Sequence, residues 1–140
     1  MVLLTIHPRE VNDLAGFHHL ALTVRDLDAS ASWYERVLDL HELFREEGER
    51  RRAVVFRFAT GTNAAVGLVW HAGTNGSFDP VNVGLDHASF VVRQREDLDG
   101  WARRLDDEGV AHSGVVDVPP GAMLNFQDPD GIALALFWDR

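Results

Sequence analysis

Cysteine is absent from the 140 residues. That excludes disulfides, thiolate metal sites and a cysteine nucleophile, and it suits a reducing cytoplasm. No apolar run approaches the ~20 residues that span a bilayer, so a membrane is not among the expected partners. The opening MVLLTI is apolar but lacks a basic start and is soon interrupted by His7, Arg9 and Glu10. It reads as a strand or arm rather than a signal peptide. Positive charge is scarce too: 13 basic side chains face 22 acidic ones, for a net charge of −9. Neutralising phosphates needs clustered cations, so nucleic acid is not an expected partner, and no nucleotide cofactor is expected. The one basic run, Arg50-Arg51-Arg52, follows REEGE and reads as a solvated turn with local ion pairs. What remains is 46% hydrophobic and 25% charged, the balance of one folded domain over residues 1–140 with a real core.

An internal repeat organises that domain. GFHHLALTVR (16–25) aligns with GLDHASFVVR (84–93) at an offset of 68, and the offset continues without a gap. It matches Gly16 with Gly84, His19 with His87, Val24 with Val92, Arg25 with Arg93, Trp33 with Trp101 and Arg36 with Arg104. It also matches Asp39 with Asp107, Phe58 with Phe126, Ala65 with Ala133, Leu68 with Leu136 and Trp70 with Trp138. Chance would give about three or four such identities at ordinary residue frequencies. All four tryptophans are paired by it. The first module is 16–72, a linker rich in Gly, Asn, Ser and Pro covers 73–83, and the second module is 84–140.

Each module has the same expected plan. The first strands are 17–24 and 85–92, with β-branched and aromatic residues alternating. Helices follow at 28–39 and 96–108; Trp33, Tyr34 and Val37, and Leu98, Trp101, Ala102 and Leu105, form their buried stripes. Asp26 or Asp28 caps the first helix. Three strands complete each module: 41–46, 52–59 and 64–71, then 110–116, 121–127 and 132–138. TGTN and DPDG form the turns before the last strand of each module. The fold class is α+β, two βαβββ modules forming a curved, cup-shaped mixed sheet with helices on the outer face.

Strand alternation separates two faces. Leu20, Leu22, Val24, Val66, Leu68 and Trp70 turn to the helix, as do Ala88, Phe90, Val92, Leu134, Leu136 and Trp138. The other face carries His19, Ala21, Thr23, Gly67, Val69 and His71 in one module, and His87, Ser89, Val91, Ala133, Ala135 and Phe137 in the other. A curved sheet gives that second face a concavity suited to a small molecule. The candidate ligand-binding residues are Val69, His71, Ser89, Asn125, Ala133, Ala135 and Phe137. Small alanines beside Phe137 leave room for an apolar or ring-shaped ligand. His18 has the wrong parity for the cup. VPPGAM (118–123) reads as a rim turn, and Arg57 and Asn125 take equivalent third-strand positions.

The βαβββ repeat with HHLALTVRDLDASASWYERVLDL, GLDHASFVV and FQDPDGIALALF resembles the vicinal oxygen chelate superfamily, from about Gly16 to Phe137. Glyoxalase I, methylmalonyl-CoA epimerase, extradiol dioxygenases and bleomycin and fosfomycin resistance proteins belong to it. The resemblance implies a homodimer and a divalent metal (Fe, Mn, Ni or Zn) held by the first and fourth strands of each module. Its metal positions fall here on His19 and His87, which suit such ions, and on Gly67 and Ala135, which carry no donor. Family members more often read IALELF where this chain reads IALALF. Substitute ligands would come from His41, Glu42, His71, His112 or Gln127. Three readings follow: a metal-dependent lyase, isomerase or dioxygenase; a metal-free small-molecule-binding protein; and a module without chemistry. An acidic cup would select a cationic ligand, and the net charge of −9 leans that way.

Overall fold

The computed structural model describes residues 13–60 and 62–140; the MVLLTI strand or arm expected from the sequence lies outside them. The element order is β1 (His19–Thr23), α1 (Leu27–Leu38), β2 (His41–Glu46), β3 (Arg51–Arg57), β4 (Ala65–His71), β5 (Ala88–Val91), α2 (Arg95–Asp107), β6 (His112–Val118), β7 (Gly121–Gln127) and β8 (Ala133–Asp139). Each βαβββ unit builds its own open four-stranded sheet, ordered β1-β4-β3-β2 and β5-β8-β7-β6. The pairs β1–β4 and β5–β8 are parallel and the rest antiparallel, so both sheets are mixed. The α+β class and the two open halves agree with a cup-like fold.

The helices form where caps and apolar spacing coincide. The Asp26 carboxylate accepts the Ala29 backbone N–H at 3.0 Å and starts α1. Asp39, at φ 57°, ends it in the left-handed region. Leu27, Ser30, Ala31, Tyr34, Val37 and Leu38 recur at three- and four-residue spacing and are buried against β3 and β4. In α2 the Asp97 carboxylate accepts the Gln94 N–H at 3.0 Å, and Leu98 and Leu105 are buried against β6, β7 and β8.

The helix-bearing faces of both sheets share one core. Trp33 of α1 lies 6.4 Å from Phe126 of β7, and Phe58 meets Phe90 edge-on at 5.7 Å. Polar contacts tie the units together beside it: Arg36 to Glu108 at 2.9 Å, and the Tyr34 hydroxyl donating to the buried Asp128 carboxylate at 2.8 Å. Burying a side chain such as Phe56 or Leu68 contributes roughly 1.5–3 kcal/mol, so the shared core couples the two units. The faces opposite the helices are left open.

The gapless offset needs a correction. It holds for β1 and β5 and for β4 and β8: Leu20 pairs with Val66 as Ala88 pairs with Leu134. It fails in the middle strands. Phe56 faces Val66 and Phe126 faces Leu134, so Phe126 corresponds to Phe56 and not to Phe58. The turn between α2 and β6 is longer than that between α1 and β2, while the β3–β4 connection (58–64) is two residues longer than the β7–β8 connection (128–132). The two length changes cancel, and the alignment hides them. Arg57 and Asn125 are therefore not equivalent: Arg57 pairs with Ala65, Asn125 with Ala135.

Gly121 opens β7 where the backbone of β8 comes closest. A Cβ there would fall on the Trp138 carbonyl oxygen, and backbone cannot swing aside as a side chain would. Gly121→Ala is expected to destabilise the protein by about 2 kcal/mol through overpacking, read as a lower denaturation midpoint with unchanged slope. An unchanged midpoint would contradict the close approach.

Candidate functional site: the open sheet faces

Strand register sorts the open-face side chains into rows, because directly paired residues share a face. In the first sheet one row runs His19, Ala65, Arg57, His41, crossing β1, β4, β3 and β2. His19, Arg57 and His41 are all exposed. The next row is Ala21, Gly67, Val55, Phe44, and the third is Thr23, Val69, Ala53, Glu46. His71 lies beyond, paired with Arg51. In the second sheet Ser89, Ala135 and Asn125 form a row, with Ala133 and Gln127 on one side of it. His87, one residue before β5 and two before Ser89, shares their face. On the other side Val91, Phe137, Met123 and Val116 make a row that is apolar across all four strands.

The candidate binding residues thus lie on the open faces. Ser89 and His71 are exposed; Asn125, Ala133 and Phe137 are half-buried. Val69 and Ala135 are the floor, 6% and 1% exposed. Among the substitute ligands, His41 and Gln127 face outward, and His71 is at the far end of β4. Glu42 and His112 turn to the helix side, where Glu42 accepts from Arg45 at 2.6 Å and His112 Nε2 lies 2.8 Å from Asp106. Parity there was hidden by irregular pairing in β2 and β6, between Glu42 and Phe44 and between His112 and Val115. The apolar Val91–Val116 row and the His19–Arg57–His41 row needed the strand pairing to be seen.

The donor set does not fit a metal in a single chain. His19 stands on β1 and His87 one residue before β5, in different units. Each ring engages its own neighbour: His19 Nδ1 lies 2.8 Å from His18 Nδ1, and His87 Nδ1 lies 2.7 Å from the Asp86 carboxylate. The fourth-strand positions offer nothing to coordinate. A Cβ at Gly67 would meet Ala21 in ordinary contact at 3.5 Å, so space for a side chain exists there without a donor. Among the described residues no three His, Asp or Glu side chains gather as ligands.

A separate groove of about 820 Å³ runs between the two units. Leu20, Phe58 and Val66 line it on one side, and Phe90 and Trp101 on the other; of the candidate residues it takes in only His87 and Ser89. It is an inter-unit crevice that borders the open faces, since Ala65, His87, Ser89 and Val91 of the rows above also line it.

The acidic charge lies mostly away from the open faces. Asp28 and Asp117 sit on the helix side. Hydrogen bonding from Arg45, with Arg52 beside it, holds the Asp28 carboxyl below the usual carboxylate range, and Arg95 does the same for Asp117. On the first sheet's open face Glu46 is bound to Arg51 at 2.5 Å. On the second, Asp139 lies at the end of β8, paired with Gly121. On the rows named above Glu46 is the one acid and Arg51 already bridges it, so the leaning of the net charge toward a cationic ligand finds little support there.

The family model of the Glyoxalase/Bleomycin resistance protein/Dioxygenase superfamily matches residues 16–136. The chain is 38% identical to a glyoxylase/bleomycin resistance protein/dioxygenase domain from Frankia sp. EAN1pec; the match covers 91% of this chain and all of that one, with a TM-score of 0.84. It is 29% identical over 129 residues to the metallothiol transferase FosB of Bacillus licheniformis, covering 87% of this chain and 74% of that protein. The fosfomycin resistance protein FosX of Listeria monocytogenes shares the fold at a TM-score of 0.71 and 16% identity, covering 91% of this chain and 94% of that one. Among the described residues no helix is long and apolar enough to cross a membrane.

Proposed function

Since this chain belongs to the Glyoxalase/Bleomycin resistance protein/Dioxygenase superfamily, we propose that it is a small-molecule-binding member whose open sheet faces hold an organic ligand without a bound metal. One observation carries the reading: the two fourth-strand positions where a ligand donor is expected are Gly67 and Ala135, and among the described residues no three His, Asp or Glu side chains gather to replace them. Small residues there make a floor in place of a coordination site. Ser89, Asn125 and His87 supply hydrogen-bonding groups above it, and Phe137, Val91 and Met123 supply an apolar wall, the usual composition of a small-molecule site.

The binding unit is a homodimer in this reading. The helix-bearing faces are used up inside the chain, so each open face needs a second copy to become a cavity. Exposed apolar side chains on those faces, Phe44 at 47% and Val91 at 77%, support it. So do the outer edges of β1 and β5, which no strand of the described residues pairs.

Metal content decides between this reading and a metal-dependent lyase, isomerase or dioxygenase. Elemental mass spectrometry of untagged protein, before and after incubation with Fe, Mn, Ni and Zn, is expected to find no stoichiometric ion. The His19→Ala/His87→Ala double variant should give the same result. Near-stoichiometric metal that vanishes in the double variant would overturn the proposal and give the two histidines a coordinating role across the dimer.

A further inference from the structure

We infer that the His19–Arg57–His41 row is an anion-recognition surface, and that the ligand is a small organic anion with an apolar or ring-shaped body. The inference rests on the reading of the open faces as the binding site and adds a ligand class to it.

The chain contains no lysine, so every fixed positive charge is an arginine. Four arginines sit on β2 and β3. Arg45 binds Glu42 and Asp28, Arg51 binds Glu46, and Arg52 binds Glu47 and Asp28. No carboxylate of the described residues forms such a bridge with Arg57, although the protein carries an excess of acids. Arg57 is exposed and sits in register between Ala65 and His41. With strands about 4.8 Å apart, His41 stands roughly 5 Å from it and His19 roughly 10 Å on the other side. The small Ala65 lies between Arg57 and His19, so an incoming group can reach both without a side chain in the way.

A planar guanidinium presents paired N–H donors that match a carboxylate, sulfonate or phosphonate, and flanking imidazoles add two more donors. One acid is near: Asp39 lies 4.0 Å from His41. It sits at the His41 end of the row and, among the described residues, makes no bridge with Arg57. One row of the second sheet is apolar by contrast, from Val91 through Phe137 and Met123 to Val116. A site built from these two faces suits a molecule with charge at one end and an apolar body.

Two fluorescent probes with the same ring system test this: anionic 8-anilinonaphthalene-1-sulfonate and neutral N-phenyl-1-naphthylamine, titrated into the full-length protein. Wild type is expected to bind the anion about tenfold more tightly than the neutral probe, with the preference shrinking as salt is added. Arg57→Gln should abolish the preference and leave the neutral probe unchanged; Arg57→Lys should restore part of it. Val116→Ser, on the apolar row, should weaken both probes alike. If Val116→Ser weakens both but Arg57→Gln leaves the preference intact, the anion inference is wrong and the open-face reading survives. If Val116→Ser and Arg57→Gln change neither probe, or neither probe binds, the open-face reading fails with it. Circular dichroism confirms that these surface variants are folded.

Discussion

Asp128→Ala is expected to lower the thermal midpoint by about 10 °C, from a loss of roughly 2–4 kcal/mol. The carboxylate is 6% exposed. Oδ2 accepts from the Tyr34 hydroxyl at 2.8 Å, and Oδ1 accepts from the backbone N–H groups of Asp130 at 2.8 Å and Ile132 at 2.9 Å. Alanine leaves three donors without an acceptor, one of them on the buried Ile132. Tyr34→Phe removes a single donor and should cost about 1–2 kcal/mol. The double variant should fall short of the sum, because both changes break the same bond. A midpoint for Asp128→Ala within experimental error of wild type would show that this contact does not hold the units together.

The same group gives a pH signature. Burial pushes the Asp128 carboxyl above its ordinary value of 3.8, against the pull of its hydrogen bonds from Tyr34, Ile132 and Asp130. The folded state therefore binds a proton more tightly than the unfolded chain does. Stability from this group is fully present below 3.8 and declines as pH rises from there through the folded value, then levels off. Asp28 and Asp117 are lowered and have the opposite sign: their contribution is present above 3.8 and fades as pH falls through their folded values. The difference in stability between wild type and Asp128→Asn, measured across an acid series, isolates the first effect. A difference that does not vary with pH would refute it.

Tyr34 also shows where sequence reasoning reaches its limit. Its place on the buried stripe of α1 follows from helical spacing, and DPDG reads as a turn from composition alone. Their contact spans 94 positions, and no local pattern encodes it. Strand faces were legible for β1, β4, β5 and β8, since an unbroken two-residue alternation places Leu22 and Leu68 against the helix and His19 and Gly67 opposite. It was not legible for Glu42, His41 or His112, because one irregular residue in a strand inverts every later side chain. The repeat misled in a related way. Two compensating length changes made Arg57 look equivalent to Asn125, when only pairing places Arg57 beside Ala65 and His41. Sharing of one core by both helix-bearing faces depends on contacts between modules, which periodicity within a module does not record.

Ala135→Glu is expected to create a metal site where wild type has none. Position 135 lies between Ser89 and Asn125, at the centre of the second sheet's open face. His87 is level with Ala133, one strand over and two residues along. At about 3.3 Å per residue and 4.8 Å per strand, the two backbones stand roughly 8 Å apart. A glutamate and an imidazole at that separation can grip one ion, and His19 of a second copy would make a third ligand in the proposed dimer. Ala135 is 1% exposed, so a carboxylate placed there without a partner ion should destabilise the fold and lower the midpoint. Adding Zn, Ni or Mn should then raise it: an ion at a hundredfold excess over its dissociation constant contributes about 2.7 kcal/mol. Wild type should show no such shift, and neither should Ala135→Glu combined with His87→Ala. A metal-dependent rise in wild type would mean that a donor outside position 135 already completes the site. No rise in Ala135→Glu would mean that His87 is not aimed at the floor of this face, and the ligand geometry assigned to the second sheet would have to be redrawn.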